Sequence, residues 1–233
     1  MVTQYAFYFD SRSCSGCKAC QVACKDQNSL EIGILWRRVY EVTDGGWQQE
    51  GEAWVHSVKT YNLSIACNHC ERPICAEVCP TRAITKRADG IVILDSQRCT
   101  GCGYCSWACP YGAPQLDPAN GRMTKCNFCV ERIDQGMPPA CVGACPLRSL
   151  EFGQLSELVA QHGSTPSIFP LPEPELTRPA LVVSAHPDSQ KQDGEPLLVS
   201  NWEEIRVGPL RLEEIQRLAR QAALEQERRL DEP

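Results

Sequence analysis

Sixteen cysteines in four sets of four constrain this 233-residue chain more than any other feature. Cys14, Cys17, Cys20 and Cys24 form C-x2-C-x2-C-x3-C, and Cys99, Cys102, Cys105 and Cys109 repeat that spacing ahead of Pro110. Cys67, Cys70, Cys75 and Cys79 form C-x2-C-x4-C-x3-C ahead of Pro80. Cys126, Cys129, Cys141 and Cys145 form C-x2-C-x11-C-x3-C ahead of Pro146, and no cysteine is left over. Iron–sulfur clusters are held by thiolates, and a tight run closed by Cys-Pro is the bacterial ferredoxin pattern. Three cysteines within seven residues let one loop wrap one face of a cube. The fourth, a helical turn further on, points away and reaches another cluster. The spacing predicts iron–sulfur clusters and the movement of single electrons.

Other uses of cysteine fit less well. An even count suits a disulfide framework, but such frameworks belong to small secreted domains, and no secretory signal peptide is read at the start. C-x2-C pairs also make zinc knuckles, yet a third cysteine two residues further on has no role in one. The C-x-x-C-H of haem attachment is absent. So are a Rossmann glycine fingerprint and a P-loop, and no acid–base or nucleophile pattern stands out. No catalytic residue is therefore expected, and the chain reads as a non-catalytic electron carrier. The formal charge of −6 excludes the basic footprint that nucleic acid requires. Bound clusters deepen it to about −14. No apolar run approaches the length of a membrane span.

The chain also repeats itself. Tyr5-Ala6-Phe7-Tyr8-Phe9 leads through Asp10-Ser11 to Cys14, and Ile91-Val92-Ile93-Leu94 leads through Asp95-Ser96 to Cys99. Cys79-Pro80-Thr81-Arg82-Ala83-Ile84 matches Cys145-Pro146-Leu147-Arg148-Ser149-Leu150. Matches at corresponding places argue for duplication. The expected fold class is α+β, built of short hairpins and short helices: a duplicated dicluster ferredoxin with one unit inserted in the other. The inner unit spans 62–113, with a hairpin at Asp89-Gly90 between Ala83–Lys86 and Ile91–Asp95. The outer unit is split into 1–61 and 114–153, and its Leu150–Phe152 strand is expected to pair with Tyr5–Phe9. An insertion at 30–60 carries three of the five tryptophans. Trp36–Val42 and Trp54–Val58 read there as strands around Gly45-Gly46, either capping a cluster or docking a partner. Residues 154–233 read as an extended arm, with seven prolines between Ser164 and Pro196, and a helix over Leu210–Leu230.

The stretches Cys14-Ser15-Gly16-Cys17-Lys18-Ala19-Cys20, Cys67-Asn68-His69-Cys70, Cys109-Pro110-Tyr111-Gly112-Ala113-Pro114, Met123-Thr124-Lys125-Cys126 and Cys145-Pro146-Leu147-Arg148 carry a resemblance. Over about residues 3–180 the chain resembles the electron-transfer subunit of the dimethyl sulfoxide reductase family of molybdopterin oxidoreductases. The resemblance implies a three-part complex in which this chain is peripheral to the cytoplasmic membrane. A catalytic subunit holds a molybdopterin cofactor, a membrane subunit exchanges electrons with quinol or quinone, and this chain wires them together. It implies four ligand sets: Cys14, Cys17, Cys20 and Cys145; Cys24, Cys126, Cys129 and Cys141; Cys67, Cys70, Cys75 and Cys109; Cys79, Cys99, Cys102 and Cys105. The Cys14 cluster would face the catalytic subunit and the Cys79 cluster the membrane subunit. Some relatives carry Trp at Cys102 and hold a [3Fe–4S] cluster, so cysteine here implies four [4Fe–4S] clusters. The alternatives are a free polyferredoxin, or the wire of a formate, polysulfide, selenate, arsenate or organohalide complex. His69 is expected to pack beside the ligands and Trp107 to cover a cluster. Arg82 and Arg148 would offset cluster charge or cap their loops.

Overall fold

The computed structural model describes residues 3–189 and 197–205. Short elements alternate along the chain: β1 (Tyr5–Asp10), α1 (Ala19–Gln27), β2 (Arg38–Asp44), β3 (Trp47–Glu50), β4 (Ala53–His56), β5 (Lys59–Ile65), α2 (Ile74–Glu77), β6 (Ile84–Lys86), β7 (Val92–Leu94), α3 (Tyr104–Ala108), β8 (Gln115–Asp117) and β9 (Arg122–Thr124). They continue as α4 (Val130–Ile133), α5 (Ala140–Gly143), β10 (Leu150–Gln154), α6 (Leu155–His162), β11 (Leu181–Ser184), β12 (Leu198–Val199) and α7 (Trp202–Ile205). The mixture is α+β.

The central sheet has the order β10-β1-β11. β10 runs antiparallel to β1 with Phe7 opposite Phe152, and β11 runs parallel to β1 with Phe7 opposite Leu181. A strand paired on both edges can be apolar on both faces. In β1 the alternation serves both: Phe7 and Phe9 enter the main core, while Ala6 and Tyr8 pack with Leu158 of α6 and with Val182. The main core lies against cysteines, with Cys20, Cys24, Cys141 and Cys145 among its buried members.

Phe128 is fully buried at the centre of this core. Its ring stacks on Phe7 at 4.1 Å between centroids and meets His69 edge-on at 4.8 Å. Truncating a buried aromatic costs about 3–5 kcal/mol. Phe128→Ala is therefore expected to lower the urea midpoint of the cluster-loaded protein sharply. An unchanged midpoint would contradict this account of the core.

Two expectations need correction. Trp36–Val42 does not pair with Trp54–Val58. β2 pairs with β5, with Val39 opposite Ser64, and β4 pairs with β3 in a separate hairpin. The reason is burial: Tyr61, Leu63 and Ile65 alternate inward on β5, whereas every residue of β3 and β4 is exposed. Trp47 and Trp54 stand 65% and 64% exposed, so among the described residues this hairpin buries its tryptophans against no cysteine group. The second correction concerns the stretch read as an extended arm. Leu181, Val182 and Val183 are buried as β11 of the central sheet. Pro179 ends the irregular run before it, and the β-branched pair that follows supplies the strand. The helix expected over Leu210–Leu230 lies outside the described residues.

Candidate metal centre

The tight run at Cys14 turns through Gly16 and Lys18, both with positive φ, before α1 begins. A Cβ at Gly16 would stand 2.6 Å from Asn62 Oδ1, so the turn needs glycine there. The run at Cys99 turns in the same way through Gly101 and Gly103, before α3. His69 and Phe128, each the second residue after the first cysteine of its set, also share positive φ. So do Arg82 and Arg148, each three residues after a Cys-Pro cysteine. Their backbone N–H groups donate to Cys79 O and Cys145 O, and both side chains are exposed, so they close the loops.

These turns bring thiols together across the sequence. Cys14, Cys17 and Cys20 share one cavity of about 320 Å³ with Cys145, walled by Phe9, Val39 and Leu150. Cys67, Cys70 and Cys75 share another of about 370 Å³ with Cys109, Asn68 and His69. Helices α1 and α5 pack together and place Cys24 near Cys141 and Cys129. Cys126 neighbours Cys24 and Cys141. Cys105 neighbours Cys99, Cys102 and Cys79. Successive groups also adjoin: Cys20 neighbours Cys141, Cys126 neighbours Cys67, and Cys75 packs with Cys79, Cys99 and Cys105. Only Cys17 and Cys102 are exposed. Among the described residues no three thiol, imidazole or carboxylate groups converge on a single-ion position.

The donor set suits iron–sulfur clusters. Burial pushes the thiols of Cys24, Cys70 and Cys75 up to about 12, and those of Cys14 and Cys105 up to about 11. Such thiols become ligands only when a metal's positive charge holds them as thiolates. Backbone N–H groups already point at sulfur: Ala83 to Cys79 at 3.3 Å, Gly101 and Met123 to Cys99 at 3.4 Å, and Phe128 to Cys126 at 3.4 Å. The buried polar atoms that lack a partner sharpen the fit. Among the described residues these include Arg37 Nε and Nη2, Arg38 Nε, Asn68 Nδ2, His69 Nε2 and Ser149 Oγ. Asn68 and His69 line the second cavity and Ser149 the first. Arg37 lies among Cys20, Cys24, Cys126 and Cys141, and Arg38 lies by Cys109. An orphaned buried donor costs about 1–3 kcal/mol, and an anionic, sulfide-rich group beside it removes that cost. His69 is neutral, held down by burial and by the nearby Lys125 charge. Its Nδ1 accepts from Val92 N–H at 3.0 Å, which leaves Nε2 as a donor.

The sequence singled out neither Arg37 nor Lys125, although a charge flanked by strand and cysteine residues was the available signal. Trp107 is 79% exposed and so does not cover Cys109 within this chain. No helix among the described residues is long and apolar enough to cross a membrane.

Comparison with known proteins supplies the family. Residues 58–155 match a profile described as a 4Fe-4S dicluster domain. The sequence is 44% identical over 205 residues to the B subunit of anaerobic dimethyl sulfoxide reductase of Escherichia coli, covering 88% of this chain and 100% of that one. It is 50% identical over 181 residues to the corresponding B subunit of Haemophilus influenzae, covering 77% of this chain and 88% of that one. It is 40% identical over 163 residues to the thiosulfate reductase electron transfer subunit PhsB of Salmonella typhi, covering 70% and 82%. With sixteen cysteines, these likenesses fit four [4Fe–4S] clusters. This protein belongs to the family of iron–sulfur B subunits of dimethyl sulfoxide reductase.

Proposed function

We propose that this chain is a non-catalytic wire of four [4Fe–4S] clusters, passing single electrons between a quinone-reactive membrane subunit and a molybdopterin catalytic subunit, as in dimethyl sulfoxide reductase-like complexes. The cluster of Cys14, Cys17, Cys20 and Cys145 faces the catalytic subunit. Next come those of Cys24, Cys126, Cys129 and Cys141, and of Cys67, Cys70, Cys75 and Cys109. The cluster of Cys79, Cys99, Cys102 and Cys105 faces the membrane subunit. The observation that supports placing the Cys14 and Cys79 groups at the ends is exposure: each owns one exposed cysteine, Cys17 and Cys102, and the second group is wholly buried, while the partner met by each end rests on the family resemblance. Bound clusters supply one-electron chemistry. The protein's part is to space them, exclude water and direct N–H groups at sulfur. The exposed Trp47 and Trp54 of the β3–β4 hairpin suit a partner surface better than a free carrier.

The fold reads as a duplication with 62–113 inside 1–61 and 114–153. In both units the strand after Cys-Pro pairs antiparallel with the strand before a tight run: β6 with β7, and β10 with β1. The turn positions correspond as well, Gly16 and Lys18 with Gly101 and Gly103. As part of such a complex the protein sits peripherally at the cytoplasmic membrane.

Cross-ligation gives the test. In Cys24→Ser the cluster shared with Cys126, Cys129 and Cys141 is expected to be lost or altered in EPR of the reduced protein. The Cys14, Cys17, Cys20 and Cys145 signal should persist. Loss of only the latter would mean that each sequence run ligates its own cluster. Size-exclusion of native material should show the protein within a larger assembly, and a species running alone would point to a free polyferredoxin.

A further inference from the structure

Three basic side chains are buried among the described residues: Arg37, Arg38 and Lys125. None forms an ion pair with a carboxylate there. Arg37 is pinned by its neighbours. Its Nη1 donates to Ser64 Oγ at 3.1 Å and Ser64 O at 3.4 Å, and its guanidinium lies 4.6 Å from the Phe7 ring centroid. Ser64 Oγ in turn lies 3.3 Å from Cys20 Sγ. The Arg37 charge also acts on the Cys24 thiol. This one residue thus reaches a cysteine of the first set through Ser64 and lies beside a cysteine of the second set. Its Nε and Nη2 remain without partners. Lys125 occupies the next gap. Its Nζ lies 3.7 Å from Cys67 Sγ, donates to Cys126 O at 2.9 Å, and also donates to Val92 O.

A buried cation without a counter-ion is strongly unfavourable. A thiolate-ligated cluster carries net negative charge and gains another unit on reduction. A fixed positive charge in a low-dielectric interior therefore favours the reduced state and raises the potential. We propose that Arg37 and Lys125 are built-in counter-charges at two successive gaps of the wire. Arg37 lies between the Cys14 and Cys24 clusters and Lys125 between the Cys24 and Cys67 clusters, and each holds its neighbours' potentials up. The unpaired Nε and Nη2 of Arg37 add charge-assisted hydrogen bonds to sulfur. The Cys24 cluster is flanked by both cations. Among the described residues neither Arg37 nor Lys125 hydrogen-bonds a cysteine of the Cys79 set, and that cluster serves as the internal reference. The proposal rests on the ligand sets given above.

The experiment is an EPR-monitored redox titration of the intact complex, with signals assigned through Cys24→Ser and Cys102→Ser. Arg37→Gln is expected to make reduction of the Cys14 and Cys24 clusters at least tenfold less favourable, about 59 mV for one electron. Lys125→Met should do the same to the Cys24 and Cys67 clusters. The double variant should move the Cys24 cluster most, with the Cys79 cluster unmoved throughout. Arg37→Lys, which keeps the charge, should recover most of the shift, and should hold its clusters even if Arg37→Gln loses them. Unmoved midpoints with sixteen irons retained would overturn the proposal. So would an equal shift of all four clusters, or loss of clusters in both Arg37→Gln and Arg37→Lys, which marks a packing role. A parent protein whose signals do not divide among the four sets would instead overturn the ligand assignment.

Discussion

Removing the iron by chelation under oxidising conditions is expected to unfold the ferredoxin body of this protein, not merely to bleach it. Helices α2, α4 and α5 have four residues each, and strands β6 to β9 have three. Helices this short are not stable by themselves in water. What holds them is the convergence of cysteines from distant runs, such as Cys145 with Cys14, Cys17 and Cys20. Structural zinc sites contribute about 10–16 kcal/mol each, as much as the whole stability of an ordinary domain, and thiolate-bound clusters couple metal to fold in the same way. Without metal the buried thiols and the orphaned donors around Arg37, Asn68 and His69 remain, and the cavities between them have nothing to fill them. Far-UV circular dichroism and iron analysis should fall together, starting from sixteen irons per chain. An apoprotein that keeps its dichroism and unfolds cooperatively would sink this expectation, and stoichiometric zinc in place of iron would sink the cluster reading itself.

Cys102→Ser is expected to separate two activities of the complex. Cys102 is exposed at the terminal group beside Tyr104 and Trp107, which are exposed as well. Removing its thiolate leaves three protein ligands, favours a [3Fe–4S] core and shifts the potential, because iron count and net charge both set it. Quinol-driven turnover should fall by an order of magnitude or more. Turnover driven by an artificial donor that bypasses the wire should persist in the same preparation. Misfolding predicts the opposite pattern, with both rates and the complex lost together, because metal and fold are coupled. Equal loss of the two rates, or loss of neither, would place this cluster elsewhere in the order.

The parts of the fold that were legible in the sequence are those whose signals are local. The strand at Tyr5–Phe9, its partner after Cys145 and the hairpin at Asp89-Gly90 follow from short apolar runs set against turn residues and cysteine spacing. Pairing choices that no repeat or cysteine spacing marks were not legible. β2 chose β5 over β4 because Tyr61, Leu63 and Ile65 offered an inward face, a decision made by packing rather than by the turn at Gly45-Gly46. β11 was hidden by the prolines around it, because four residues between Ala180 and Ala185 are too short to announce themselves. At the site, the cysteine spacing singled out the sulfurs that the fold brings together. It was silent on Arg37 and Lys125, whose meaning lies in where their charges are buried.

The nesting of the thiol groups has a consequence for the order in which the molecule is made. Cys67, Cys70, Cys75 and Cys109, and Cys79, Cys99, Cys102 and Cys105, come together within 67–109 alone. The other two groups must wait until Cys145 and Cys141 have been added to what Cys14 to Cys24 began. Closing a short loop costs less entropy than closing a long one, and local contacts form sooner. Loop-closure entropy therefore favours the inner pair of groups coming together before the outer pair. The flank of β1 that receives Leu181–Ser184 is covered later still. On this ground the chain closes from the middle outward, with the groups within 67–109 gathered before those that wait for Cys141 and Cys145.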